Sequence, residues 1–202
     1  MQTLLLPHQL STIDPATGRI DGGVYAERRL SDLRGIFADT AAYERALAED
    51  DPIIYSVSSI EAGAGDGDLH FGIGRIMPGC VGVEYYMTRG HLHSWRDAAE
   101  IYIGLGGEGV MVLEEEETGD TTILPLKPNG IIYVPGFVAH RTINVADEPL
   151  VYIGIYPAKA GHDYGALAER NFNEVVIRVD DRPEAMKRED YIMMILGEQE
   201  EA

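Results

Sequence analysis

Cysteine is almost absent. Cys80 is the only one in 202 residues, so no disulfide can form within the chain, and the expected role of the thiol is that of a small buried hydrophobe. Basic residues are scarce as well: 16 Lys and Arg stand against 34 Asp and Glu, a formal charge of −18. A surface that acidic repels nucleic acid and anionic membrane. Polyanionic partners are excluded on that ground, whereas a small phosphorylated ligand in a locally positive pocket is not. No apolar run approaches the roughly 20 residues that span a bilayer. Met1 to Pro7, despite Leu4-Leu5-Leu6, lacks the basic flank and apolar length of a secretory signal. The expectation is a cytoplasmic protein with no membrane partner. Internal repeats and low-complexity segments are also missing.

What is present is a core-forming composition, 45% hydrophobic over 202 residues, sufficient for one domain over 1–202. Residues 1–50 read as an N-terminal arm followed by a helix. Turn clusters (Asp14-Pro15-Ala16-Thr17-Gly18, Asp21-Gly22-Gly23) dominate up to residue 30, and Thr40–Glu49 is rich in helix formers with Asp39 as its N-cap. Over 51–180 the texture changes to short β-prone runs between Gly, Pro, Asn and Asp. The expected strands are 53–58, 69–76, 81–87, 101–105, 110–113, 121–124, 131–134, 138–144, 150–156 and 174–179. Many short strands at this spacing indicate an antiparallel sandwich or barrel. Residues 181–202 read as a helical tail, with helical composition over 184–198. The acidic run Glu114 to Glu117 before Thr118-Gly119-Asp120 reads as the solvated tip of a hairpin.

The chemistry gathers in two stretches. In the first, His91 and His93 are two apart, a spacing that aims both imidazoles at one side of an extended chain. Glu100 opens the next β-prone run and can offer an oxygen to the same point. In the second, Pro135 to Asn144, His140 shares a strand face with Thr142 and Asn144. A pair of histidines alone is as compatible with a solvated strand. Three imidazoles and a carboxylate together fill four positions of a divalent cation and leave one or two open, which suits iron(II), manganese, nickel or zinc acting as a Lewis acid.

Both intervals resemble the two motifs of the cupin superfamily, with a longer gap between His93 and Glu100 than the general pattern has. The resemblance sharpens over Thr88-Arg89-Gly90-His91-Leu92-His93, Ala99-Glu100-Ile101-Tyr102, Ala139 to Asn144, Tyr156-Pro157 and Ala160-Gly161-His162-Asp163-Tyr164-Gly165. These residues resemble the cupin-type phosphoglucose isomerases known best from archaea, and the likeness covers most of residues 12–180. The implied fold is mostly β, a cupin barrel (double-stranded β-helix, jelly-roll) with a short N-terminal and a C-terminal helix. The implied activity is metal-dependent interconversion of glucose 6-phosphate and fructose 6-phosphate, in glycolysis and gluconeogenesis. The implied assembly is a homodimer with one divalent metal per subunit, iron(II) first.

Carried onto this chain, the resemblance makes His91, His93, Glu100 and His140 metal ligands. Tyr55, Thr88, Gly90 and Tyr102 line the substrate and phosphate site, joined by Tyr156 and by Arg89 as a cationic donor, while His162 and Tyr164 close over the sugar. Moving a carbonyl between adjacent carbons requires an electrophile and a base. The metal supplies the first, Glu100 is the candidate for the second, and His162 can shuttle a proton to the ring oxygen. A hydride shift with no carboxylate base remains the alternative route. Gly136 and Phe137-Val138 depart from the family pattern, and Phe71 to Arg75 lacks a hydroxyl that often meets phosphate, a gap Arg75 is placed to fill. His8 and His70 match no metal motif and read as structural or surface residues, and Trp95 as a packing residue. The rival functions are an isomerase of another sugar such as mannose 6-phosphate, an iron cupin dioxygenase, and a sugar-binding cupin without turnover.

Overall fold

The computed structural model describes residues 8–168 and 170–201; the Leu4 to Leu6 run lies outside them. In chain order the first strands are β1 (Ile13–Asp14), β2 (Arg19–Ile20), β3 (Val24–Arg29), β4 (Ile53–Glu61), β5 (Leu69–Ile76), β6 (Cys80–Val81) and β7 (Glu84–Tyr85). They continue as β8 (Glu100–Gly106), β9 (Gly109–Glu115), β10 (Thr121–Leu126), β11 (Ile131–Val134), β12 (Val138–Asn144), β13 (Leu150–Pro157), β14 (Glu174–Val179) and β15 (Arg182–Lys187). Among the described residues there are two α-helices, α1 (Thr40–Glu49) and α2 (Arg188–Glu201), one near each end of the chain.

A six-stranded sheet in the order β11-β8-β13-β5-β4-β3 faces a three-stranded sheet in the order β10-β9-β12. Between β8 and β13 the chain moves repeatedly from one sheet to the other, because β8 pairs with β11 and β13 while β9 pairs with β10 and β12. That is the cupin jelly roll expected from the motifs. Bridges at Met87↔Ile143 and His91↔His140 lay the extended segment 87–91 along the free side of β12. Alternation then decides what each face carries. Along β8, Glu100, Tyr102 and Gly104 are buried, and the residues between them are more open. Met111, Leu113, Leu126, Ile132 and Val134 pack in the shared core.

Asn144 closes the second motif from inside this core. Its side-chain amide donates to the Ile76 (3.0 Å) and Glu148 (2.9 Å) carbonyls, and its oxygen accepts from Ala146 N–H (3.0 Å). Asp39 caps α1 as expected, accepting from Ala42 N–H at 2.8 Å.

Several elements differ from the sequence expectation. Val24–Arg29, in the stretch that reads as an arm, is instead the edge strand of the large sheet, paired with β4. Residues 81–87 form two short strands, because Gly82 turns the backbone at φ 57°. The helical tail starts at Arg188 rather than 184, since 182–187 pair with β14 through a hairpin whose corner residues, Asp180 and Asp181, both have positive φ. Glu114 is not solvated: it is fully buried, bound to Arg170 and to Asn173 N–H. Trp95, expected to pack, is 48% exposed.

Replacing Asn144 by Ala removes three hydrogen bonds from a buried corner and is expected to destabilise the fold by about 3 kcal/mol. Urea unfolding of the metal-free protein measures this, and a change below about 1 kcal/mol would contradict the assignment.

Candidate active site

The segment that carries the first two histidines is held on both sides. His91 N–H donates to the His140 carbonyl (3.2 Å) and His140 N–H to the His91 carbonyl (3.0 Å); Leu92 and Asp163 exchange a second pair at 3.2 and 2.7 Å. Leu92 enters the core, and extended geometry turns His91 and His93 to the opposite side, with ring centroids 5.5 Å apart. His140 comes from β12 and Glu100 from the first residue of β8. The four side chains converge so that one donor atom from each lies within 4.8 Å of every other.

The hydrogen bonds around these rings leave their second nitrogens without a proton. His93 Nδ1 donates to the Ala98 carbonyl at 2.9 Å and His140 Nδ1 to the Val138 carbonyl at 3.2 Å. A carbonyl only accepts, so in the neutral rings both Nε2 atoms carry lone pairs. Both face Glu100 Oε2, at 3.3 Å from His93 and 3.1 Å from His140. His91 Nε2 and His140 Nε2 are buried with no hydrogen-bond partner. Lone pairs aimed at a carboxylate in a buried site call for a cation or a proton among them, and the donor set fits a divalent metal of the iron-to-zinc series.

The titration directions agree. Burial would raise the Glu100 carboxyl, but the His140 and His93 imidazoles beside it outweigh that and bring the pKa down to about 2. Burial and the neighbouring imidazoles hold His91 well below its ordinary value. His93 is raised, since its bonding to Glu100 and Ala98 outweighs its burial.

The cluster opens into a cavity of about 340 Å³ lined by Tyr55, Thr88, Arg89, Gly90, Tyr102 and Tyr156, all six of the expected substrate residues. Glu100, His162 and Tyr164 line it too, as do His91 and His140. His93 stands behind the wall. Thr88 Oγ1 accepts from Thr142 N–H at 3.1 Å, which leaves its own proton to donate. Gly90 is buried with φ 76°, and a Cβ there would strike the Phe172 ring. Burial, and then Glu100, holds Tyr102 well above the ordinary phenol value, and Tyr156 is pushed up to about 12 by burial and then by Glu100, so both phenols stay protonated. His162 packs on His91 at 4.4 Å and stacks on Tyr164 with an interplanar angle of 9°. Burial lowers its pKa, which leaves a neutral imidazole at pH 7.

Arg28, Ser59, Glu61, Thr142 and Tyr152 also line the cavity and were not assigned to the site from sequence. Tyr152 was within reach of period-two alternation, four residues before Tyr156 on the same strand face. Arg28 was hidden in a stretch read as an arm. Arg75 does not fill the missing hydroxyl's place: Gly72 and Gly74 face the cavity, while Arg75 points out of the barrel into a separate recess with Arg19 and Met77. His70 is structural, bonded to the Gly63 carbonyl and edge-on to Tyr156.

A jelly-roll barrel enclosing three imidazoles and a carboxylate that can hold a metal defines the class as a cupin. Residues 27–194 match the family described as Glucose-6-phosphate isomerase (GPI). Similar curated proteins, each named glucose-6-phosphate isomerase, include one from Pyrococcus abyssi, 46% identical over 165 residues, covering 82% of this chain and 87% of that one. Another from Thermococcus gammatolerans is 47% identical (82% and 86% covered), and one from Sinorhizobium medicae is 39% identical over 181 residues (88% and 83% covered). The chain belongs to the glucose-6-phosphate isomerase family.

Replacing His140 by Ala is expected to weaken metal affinity by more than roughly hundredfold, since partners one shell further out are already worth 10–100-fold. Metal content after dialysis, measured by atomic emission, checks it; full occupancy would contradict the ligand assignment.

Proposed function

We propose that this chain interconverts glucose 6-phosphate and fructose 6-phosphate at the cavity beside His91, His93, Glu100 and His140. The observation that carries this reading is the junction of that cluster with a rim bearing two arginines, Arg28 and Arg89, in a chain of net charge −18. The cavity's size is in the range of small-molecule sites, and the arginines and the Thr88 hydroxyl are donors suited to a phosphate. The chain works as one cupin domain.

The bound cation, iron(II) in this reading with manganese, nickel or zinc as alternatives, would polarise the sugar's carbonyl oxygen. His91, His93 and His140 hold it, with Glu100. Thr88, Arg89, Arg28 and the Gly90 amide bind the phosphate, and Tyr55, Tyr102 and Tyr156 donate to the sugar oxygens. His162 moves the proton between the ring oxygen and the anomeric hydroxyl, which opens the ring. Glu100 takes the proton from C1 of the ketose and returns it to C2, as the hydroxyl proton moves from O1 to O2 to leave an aldehyde at C1. Tyr164 and His162 cover the cavity mouth and limit water.

The same reading includes a homodimer, supported by the outer face of the large sheet. Ile131 (70% exposed) and Tyr133 (62%) on β11 pair in register with Ile103 and Ile101 (38%) and leave an apolar patch open. It also includes a cytoplasmic location in glycolysis and gluconeogenesis, where the phosphorylated sugar is held; no described helix is long and apolar enough to cross a membrane.

A coupled assay of fructose 6-phosphate on the metal-loaded protein is expected to show turnover, with mannose 6-phosphate and unphosphorylated fructose at least about tenfold poorer in kcat/KM. Preference for either competitor would overturn the substrate assignment. Thr88→Ala and Arg89→Ala are each expected to raise KM for fructose 6-phosphate roughly tenfold, the loss of one charge-assisted or hydroxyl bond; an effect confined to kcat would place phosphate elsewhere. Glu100→Gln is expected to cut kcat at least about hundredfold, measured on samples of equal metal content. Near-normal turnover would favour a direct hydride shift. Ile131→Asp with Tyr133→Asp is expected to halve the mass seen by light scattering, and an unchanged dimer would move the interface off this face.

A further inference from the structure

Arg96 has no part in the metal cluster or the cavity lining, yet it joins three separate parts of the site. It belongs to the six residues, 94–99, between His93 and Glu100. Its Nη1 donates to the His93 carbonyl, its Nε to both Glu116 oxygens (2.9 and 2.8 Å), and its Nη2 to Asp163 Oδ2 at 2.7 Å. The guanidinium is only 25% exposed. Five donors in a rigid plane can serve three acceptors in fixed directions, which an ammonium cannot do.

The acceptor at Asp163 matters most, because its neighbours are His162 and Tyr164. The surrounding contacts dock the same two stretches together. Trp95 N–H donates to the Ala160 carbonyl at 2.9 Å. Gly161, at φ 61°, lies so close to Ser94 that a Cβ would come within 2.9 Å of its Oγ. Asp163 uses its second oxygen, Oδ1, to accept from Ala166 N–H at 3.1 Å, starting the turn that follows. The arm 160–164 is therefore fastened to the residues next to a ligand histidine and is not a free loop.

We propose that Arg96 is a positioning residue: through Asp163 it locks the arm carrying His162 to the backbone of His93, and so sets the distance between the proton-transferring imidazole and the metal cluster. The inference rests on the reading of His162 as the group that acts on the sugar ring. Geometry of this kind is worth a great deal, since a displacement of about 1 Å at a reacting group costs on the order of hundredfold in rate.

The test is a double-mutant cycle on metal-loaded protein with fructose 6-phosphate. Asp163→Asn keeps the Oδ1 cap on Ala166 and turns an amide towards Arg96; Arg96→Met removes the guanidinium with similar bulk. Each is expected to lower kcat roughly ten- to hundredfold with KM changed less than about threefold and metal content unchanged. In a His162→Ala background the Asp163→Asn loss is expected to vanish, because the clamp then has nothing to position. A kcat within about twofold of the parent, or a loss of equal size with and without His162, would overturn the proposal. Should Arg96→Met fail to fold, Asp163→Asn decides. Should the parent itself not turn over fructose 6-phosphate, the functional reading fails separately, and amide exchange over 160–164 decides the clamp: faster exchange in Asp163→Asn supports it and unchanged exchange overturns it.

Discussion

The structure depends on one electrostatic constraint: three imidazoles and a carboxylate brought together where little water reaches. Glu100 and His140 are 4% and 2% exposed, and the carbonyls of Ala98 and Val138 take the Nδ1 protons of His93 and His140. The atoms left facing one another are acceptors. Such an arrangement is costly to assemble without a positive charge at its centre, and it persists because the surrounding backbone leaves it no alternative. The His91–His140 bridge and the Leu92–Asp163 pair hold the first two ligands between β12 and the arm that follows β13.

Other features follow from that centre. Tyr102 and Tyr156 in the cavity are kept protonated by burial and by Glu100, which makes them donors rather than competing anions. Behind β12, the buried guanidinium of Arg141 donates to the Arg89 carbonyl and to Asn171 Oδ1, both at 2.8 Å, and lies over the Phe172 ring. This holds the turn at Gly90 from the rear, while the Arg89 guanidinium lies 5.7 Å from the centroid of the Tyr164 ring at the cavity. Two arginines, Arg28 and Arg89, thus line the cavity of an otherwise acidic molecule, where they can meet a phosphorylated sugar.

The cluster was legible because histidine is scarce, with six in 202 residues, because His91, His93 and Glu100 fall within ten positions, and because alternation along an extended chain fixes which side chains share a face. The jelly roll was legible for a similar reason, as ten short apolar runs separated by turn residues. The remaining features lack local signals in the sequence. Val24–Arg29 follows two turn clusters and becomes a strand only by pairing with β4. The hairpin before Arg182 turns on two aspartates at positive φ, a conformation more typical of Asn and Gly. Glu114 looked like part of a solvated acidic run until Arg170 and the Asn173 backbone supplied its partners. Arg96 was unremarkable in sequence because its partner Asp163 is 67 positions away.

In the proposed reaction, isomerisation depends on a cation held by the four-residue cluster. The most direct measurement is a titration of chelator-stripped protein with iron(II), following glucose 6-phosphate formed from fructose 6-phosphate against equivalents of metal added. Turnover absent at the start, rising linearly and stopping at one equivalent per chain is the expected result. Full activity in the stripped protein, or a rise that continues well past one equivalent, would contradict it.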